Sequence, residues 1–518
     1  MKSIIKGTSG SGSLHVWITG IALFNVILHL AFYNTLGFHR DELLYFSLGA
    51  NPSAGYASVP PFTGLTAWVM IHLTGSNLFS ARLLPALFSG LMVFLASAMT
   101  RELKGGNYAR ILAAVGIVVN PINLRGFYFF MPVFLDVFFW TLNFLLLLKW
   151  INSGKDRWIL LLGLSAGFGL LNKYSVLLQL FSLFAVILFT PHRTLLLKRS
   201  LWIATAIAFI IFLPNIIWQI VYGLPVITHM QALHDTQLVN VDRINFLTDQ
   251  LILGFMSALL ILPGLVVPLF SRSLRQARFM AVTSLLVILI LLLLRGKNYY
   301  TAGVMPFLIC AGAVFWEQVL RSSLLRAALP ALMVLLTIPV VPLGIPVWKE
   351  EKLAQFFDSM KRSTGFDAPL RDEDGQYHAL PQDYADMLGW NELALAAAEA
   401  WKEIPDKEAA FIYCENYGQA GAITVLGKDL GLPKPVCFSE SFFYWAPRSF
   451  QKEITAVVYI NDEMGEDVDT LFRNTRIIGG ILNPLAREYG TKVYLCVDPA
   501  YRFNAFWTDR VKHIESPF

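Results

Sequence analysis

Apolar runs of about twenty residues recur along the first two thirds of the chain, and they leave few folds open. A helix rising 1.5 Å per residue needs about twenty apolar residues to cross a hydrocarbon layer roughly 30 Å thick. Inside that layer every backbone polar group must be paired within the protein, so such runs adopt helices. Eleven spans are expected, centred on 14–34, 79–99, 108–124, 132–150, 157–172, 174–190, 200–221, 247–270, 278–295, 299–317 and 326–344. With 55% hydrophobic residues and a mean hydropathy of +0.55 over 518 residues, the chain reads as a polytopic α-helical membrane protein. The first run, Leu14 to about Tyr33, is of span length and lacks a small-residue cleavage site, so it reads as a span and not as a signal peptide.

Residues 60–75 are apolar but short, begin with Pro60-Pro61 and contain His72; they read as an interfacial helix. With that assignment, sixteen Lys and Arg, among them Lys2, Lys6, Arg101, Arg110, Arg272 and Arg326, fall on one side of the membrane. Seven fall on the other: Arg40, Arg82, Arg125, Lys173, Arg243, Arg295 and Lys297. The positive-inside rule then makes the first side, with the N-terminus, cytoplasmic. An odd number of spans puts residues 347–518 outside. That part carries 18 Lys and Arg against 27 Asp and Glu, a net of −9, whereas residues 1–346 carry +14. Two parts are therefore expected: a transmembrane domain over 1–346 and a soluble α/β domain over 347–518.

In the outer part, helical patterns cover about 349–362 and 391–403. Strand-like runs lie at Ala409–Cys414, Pro435–Phe438, Thr455–Ile460 and Lys492–Val497, which suggests a small, partly parallel sheet. No GxGxxG or P-loop appears, so neither nucleotide binding nor a nucleic-acid partner is indicated. Cys310, Cys414, Cys437 and Cys496 have no metal-ligand spacing and read as small buried residues, with at most one disulfide among the last three.

Only nine acidic side chains occur in the first 346 residues, and two of them, Asp41 and Glu42, are adjacent in Phe38-His39-Arg40-Asp41-Glu42 at the first outer loop. A carboxylate near lipid persists only at a surface, in a pair or in a working cavity. Asp136 opens the fourth span on the same outer face. Lys173 interrupts an apolar run from 157 to 190, and Arg295 and Lys297 precede Tyr299-Tyr300. Each of these has a bland reading, as a helix-terminal carboxylate or a snorkelling cation. Together they suit a phosphate, which wants Lys or Arg donors, beside an acceptor that wants a carboxylate base.

These residues resemble the GT-C glycosyltransferases, in particular the protein O-mannosyltransferase-like branch that includes the lipid A aminoarabinose transferases. The matching segments are Asp41-Glu42, Tyr56-Ala57-Ser58-Val59-Pro60-Pro61, Phe134-Leu135-Asp136, Leu171-Asn172-Lys173-Tyr174 and Lys297-Asn298-Tyr299-Tyr300 with Met305-Pro306. In the outer part, Glu415-Asn416-Tyr417-Gly418-Gln419-Ala420-Gly421-Ala422 is similar to a segment of bacterial members. Asn172 stands where the family more usually has Thr, and the outer part is not the repeat insertion of the eukaryotic enzymes. The resemblance implies transfer of a sugar, with inversion, from a polyprenyl-phosphate carrier to a lipid, glycan or protein acceptor at the outer face of a bacterial inner membrane. It implies Asp41 as general base, with Glu42 and Asp136 positioning donor or acceptor. Lys173, Lys297 and Arg295 would hold the phosphate, and His39, Arg40, Tyr56, Tyr299 and Tyr300 would line the cavity. A divalent metal is left open, with His229, His234 and Asp235 the one grouping that could hold it. The alternatives are a flippase or transporter of lipid-linked sugars, which would favour internal repeats that this chain lacks, and an O-antigen-ligase-like transferase.

Overall fold

A computed structural model describes residues 11–373, 375–514 and 516–518. Lys2 and Lys6, used above to orient the N-terminus, lie outside the described residues. Among the described residues, seven helices are long and apolar enough to cross a membrane: Gly12–Ala31, Leu78–Glu102, Pro132–Ser153, Arg199–Val221, Arg243–Phe270, Asn298–Val319 and Ser323–Leu343. Five shorter apolar helices, Phe62–Thr74, Asn107–Val118, Arg157–Asn172, Ser175–Leu188 and Arg278–Leu293, fill the remaining places. Each of the eleven runs and the segment at 60–75 thus has a helix of its own. The protein is a polytopic helical membrane protein with a C-terminal sheet.

For the site, the elements that matter are α1 (Ser11–Ala31), α2 (Arg40–Ala50), α3 (Phe62–Thr74), α4 (Leu78–Glu102), α5 (Pro132–Ser153), α6 (Arg157–Asn172), α7 (Ser175–Leu188) and α8 (Arg199–Val221). Large apolar side chains such as Phe24, Ile27, Phe181, Phe184, Ile210 and Ile217 stay exposed on these helices, the surface that hydrocarbon covers. Between helices the contacts are partly polar. Asn143 donates to Gln179 at 2.9 Å, Gln179 donates to the Trp140 carbonyl at 2.8 Å, and Asn25 donates to the Ser89 carbonyl at 3.1 Å. In hydrocarbon, where apolar packing gives little preference for a neighbour over lipid, such bonds set which helices meet.

One ion pair is fully enclosed. Glu42 on α2 and Arg82 on α4 are 0% and 1% exposed and bonded directly to each other. The remaining acceptor capacity of Glu42 takes the Phe130 N–H at 2.8 Å and the His39 N–H at 2.9 Å. Arg82 also lies over the Tyr128 ring at 4.5 Å. The pair therefore ties α2, α4 and the 127–131 turn into one unit.

The C-terminal sheet has strand order β1-β2-β4-β3, with β1 (Ala410–Cys414), β2 (Ala456–Asn461), β3 (Phe472–Gly480) and β4 (Lys492–Pro499). β1 and β2 are parallel, and the other pairings are antiparallel. Two helices, α9 (Trp390–Glu403) and α10 (Tyr417–Val425), pack on the face from which Ile412, Cys414, Val458 and Ile460 project, and that core is continuous with the membrane helices. Phe411, Val457, Tyr459 and Trp507 fill a second core on the opposite face, as the two-residue side-chain period of a strand requires. Pro435–Phe438 is not a strand. It makes a single bridge, Tyr413 to Val436, because Pro433 and Pro435 have no N–H to extend a ladder. β3 is an additional edge strand, exposed along most of its length and without the apolar signal that marks the others. All four cysteines are buried and free.

Removing Arg82 while keeping Glu42 leaves a carboxylate enclosed without its cation. Arg82→Met is expected to cost about 3–5 kcal/mol, read as a lowered unfolding midpoint of the detergent-solubilised protein. Unchanged stability would show that Glu42 is not ionised in the fold.

Candidate functional site

The loop that follows α1 ends in a cap built from its own side chains. His39 is the N-cap of α2: its Nδ1 accepts the Asp41 N–H at 3.0 Å, while Glu42 returns a bond to the His39 N–H. With Nδ1 accepting, the ring proton sits on Nε2, which faces Asp383 and Asp386, each 3.8 Å away. Glu42 points inward to Arg82, and its neighbour Asp41 points outward, part-exposed at the helix N-terminus, where partial positive charge favours a carboxylate.

Asp41 meets the C-terminal part directly. The Tyr417 hydroxyl, at the start of α10, donates to Asp41 Oδ1 at 2.9 Å. Arg40 stacks over the Tyr417 ring at 4.3 Å and reaches Glu488 at 3.9 Å. Glu488 in turn accepts from Asn416, the cap of α10, and from Gln419. Gly418 and Gly421 allow the approach. A Cβ on Gly418 would stand 2.8 Å from Arg40 Cγ, and one on Gly421 would stand 2.8 Å from Leu43 Cβ. A second C-terminal segment, 381–388, seals the other side. Arg125 pairs with Asp383, and the Arg40 N–H donates to the Asp386 carbonyl at 3.0 Å. Burial would raise the Asp383 carboxyl, but Arg125 and His39 outweigh it and hold the group well below the usual carboxylate range. At Asp386 burial wins over His39 and Arg487, and its carboxyl is lifted to about 6.

The cations gather on the opposite side of Asp41. Lys173, in the break between α6 and α7, is 3.9 Å from Asp136 and lies over the rings of Tyr299 and Tyr300 at 5.6 and 5.1 Å. Asp136 also accepts from the Ser175 hydroxyl at 2.5 Å. Tyr299 is within electrostatic reach of Asp41. Lys297 donates to Glu373 at 2.5 Å; burial opposes ionisation of Glu373, but this lysine holds its carboxyl below the ordinary value. Next to Lys173, Tyr174 forms one end of an apolar groove of about 730 Å³ between α7, α8 and the helix Pro225–Thr236, with Phe212, Ile216, Leu224 and Ile227 on its walls.

The structure thus brings Asp41, Lys173, Asp136, Lys297, Tyr299 and Tyr300 together. Five expected site residues are placed otherwise. Glu42 is enclosed with both oxygens occupied, so it positions Asp41 and does not meet a substrate. Tyr56 is 2% exposed and does not wall a cavity; its hydroxyl donates to the Leu48 carbonyl at 3.0 Å and accepts the Ser53 N–H at 3.2 Å, closing the 51–61 loop. Arg295 is exposed and donates to the Val239 carbonyl at 2.7 Å. His39 and Arg40 are covered by the C-terminal part and serve as its docking points. Among the described residues no group of three or more His, Cys, Asp or Glu is disposed to hold a metal ion; His234 pairs with Asp235, and His229 lies against Phe518. The sequence reading names Tyr417 within a segment similar to bacterial members but gives it no place at the site. Its signal was the Glu415–Ala422 segment, whose glycines require close contact with something that the sequence does not identify.

Residues 58–218 match the sequence model of a family described as dolichyl-phosphate-mannose-protein mannosyltransferase. The crystal structure of ArnT from Cupriavidus metallidurans in the apo state has the same fold, with a TM-score of 0.58 at 13% identity over 94% of this chain and 98% of that one. The chain therefore has the fold of that structure, and its residues 58–218 are similar to the mannosyltransferase family. A lipid A galacturonosyltransferase, RgtD of Rhizobium johnstonii, is 25% identical over 229 residues. That match covers 44% of this chain, which spans about half the length (48%) of this curated relative. Asp136 and Lys173 fall inside the family match, whereas Asp41, Lys297 and Tyr299 lie outside it.

Placing a branched side chain at Gly418 forces α10 off Arg40. Gly418→Val is expected to destabilise the docked state by about 1–3 kcal/mol and to raise hydrogen exchange at residues 40–45. Unaltered exchange there would mean that the approach of α10 to α2 is not tight.

Proposed function

We propose that this protein transfers a sugar from a polyprenyl-phosphate carrier to an envelope glycolipid at the outer membrane face, with Asp41 as general base. The observation that carries the reading is the state of Asp41: part-exposed, held by one hydroxyl, and within electrostatic reach of Tyr299, one of the two rings under Lys173. In this reading residues 1–346 form the membrane domain and 347–518 an extracytoplasmic domain, with the N-terminus cytoplasmic.

The chemistry divides between the two sides of the site. The acceptor hydroxyl gives its proton to Asp41 as its oxygen bonds to the anomeric carbon. The bond from that carbon to the carrier phosphate breaks on the opposite face, which inverts the centre. The phosphate keeps the electron pair, and Lys173 and Lys297 stabilise the charge it gains. Lys297 must then exchange Glu373 for phosphate, a trade between two anions that leaves the lysine paired throughout. Asp136, bonded to Ser175, holds Lys173 forward, and Tyr299 and Tyr300 flank the ammonium. The apolar groove beside Tyr174 suits the first isoprene units of the carrier. Because RgtD is named for lipid A, lipid A is the acceptor to test first, against donors carrying galacturonate, aminoarabinose or a neutral hexose.

The test is transfer in proteoliposomes with labelled polyprenyl-phosphate sugars. Asp41→Asn is expected to lower kcat by about 10²–10⁴-fold without lowering the unfolding midpoint. Lys173→Met is expected to raise the donor KM by about tenfold or more, the loss of a charge-assisted phosphate contact. Equal turnover by wild type and Asp41→Asn would remove Asp41 as base. Movement of the lipid-linked sugar between leaflets without transfer would make the protein a flippase.

A further inference from the structure

A second carboxyl group, from the C-terminal part, lies within electrostatic reach of Asp41. Glu440 is 8% exposed, and its Oε2 has no hydrogen-bond partner. Its other contact is the hydroxyl of Ser58, in the loop that follows α2. Six non-glycine residues among those described have positive φ, and Glu440, at +57°, is the one that is buried. That conformation costs an L-residue about 1–2 kcal/mol and persists only where the surroundings impose it. Here two bonds impose it: the Glu440 N–H donates to the Pro517 carbonyl at 3.0 Å, and the next hydroxyl, Ser441, accepts the Ala57 N–H at 3.0 Å. The backbone is thus bent to bring a carboxyl against Ser58 and leave one of its oxygens unpaired. A buried polar atom without a partner in the protein costs stability, and it is satisfied by ordered water or by a bound group.

We propose that Glu440 is an acceptor-binding residue of this site, its free oxygen bonding a hydroxyl of the acceptor's sugar headgroup next to the one that Asp41 deprotonates. The inference rests on the transfer reading above and assigns its acceptor side. Two carboxyl groups at one site divide into one acid and one carboxylate. Burial is the main cause that lifts the Glu440 carboxyl to about 8, with Asp41 adding to it and Ser58 and Arg40 opposing it. The other titratable groups around Glu440 are Tyr45, Tyr417, Cys437 and Tyr444, none of which supplies a cation. At pH 7 Glu440 is therefore the neutral partner. Its Oε2–H donates to an acceptor oxygen, and Asp41 remains the base. No proton is transferred through Glu440.

The experiment uses the full chain in proteoliposomes, with lipid A as the varied acceptor. Glu440→Ala is expected to raise the acceptor KM about tenfold, the loss of one hydrogen bond, with the donor KM unchanged. Glu440→Gln keeps a neutral donor and should hold the acceptor KM near wild type. In the wild type that KM should rise as pH passes about 8 and the proton is lost; in Glu440→Gln the rise should be absent. An acceptor KM that ignores both substitutions, or a donor KM that moves equally, overturns the proposal. A second readout needs no turnover: a hydrophobic carbodiimide, which attacks protonated carboxyls, should label Glu440 at pH 7, and lipid A should protect it. If the wild type transfers nothing but lipid A still protects Glu440, the transfer reading falls and the acceptor site stands. If transfer proceeds and lipid A gives no protection, the acceptor site falls alone. Neither transfer nor protection overturns both.

Discussion

Enclosing a carboxylate and a guanidinium together is tolerated only when nearly every lone pair and proton between them is used. At Glu42 and Arg82 that demand is met by the His39 and Phe130 N–H groups, so three separate stretches of backbone hold fixed positions around one pair. The consequence reaches the next residue. With Glu42 turned inward and His39 capping the helix, Asp41 has one direction left, outward, toward the C-terminal part. The charge that carries the proposed chemistry is thus oriented by a charge that carries none.

Opposite net charges on the two parts of the chain, +14 and −9, become local pairs where they meet. Arg125 meets Asp383, Lys297 meets Glu373, and Arg40 meets Glu488. Each basic partner comes from a connection between the apolar helices, and each acidic partner from the C-terminal part, so one contact surface both docks the sheet and closes the site. The bond from Tyr417 to Asp41 joins residues 376 positions apart. Half of the immediate surroundings of Asp41 therefore depend on long-range docking.

Much of the membrane part was legible because hydrocarbon permits so few arrangements. Run length placed each apolar helix, and even the interruption at Asn172-Lys173-Tyr174 is a real break between α6 and α7. Asp41, Asp136 and Lys173 stood out because a charge amid apolar sequence is costly and so rarely incidental. The sheet was legible where strands are buried on both faces, as in β1 and β2. It was not legible in β3, an edge strand with mostly exposed side chains, or at Pro435–Phe438, where apolar residues suggested a strand that proline cannot extend. Glu42, Tyr56 and Arg295 show the opposite error: each is the right kind of residue near the right place, but its neighbours occupy it.

By itself, then, the sequence determined a polytopic helical chain with an acidic C-terminal part and a small set of charges at one membrane face. These follow from transfer free energies, which act residue by residue and need no partner. Which of those charges remain available, and that Tyr417 and Glu440 join them, only the tertiary structure decided. A polar side chain is committed or free according to what packs against it, and at this site those groups come from positions hundreds of residues away.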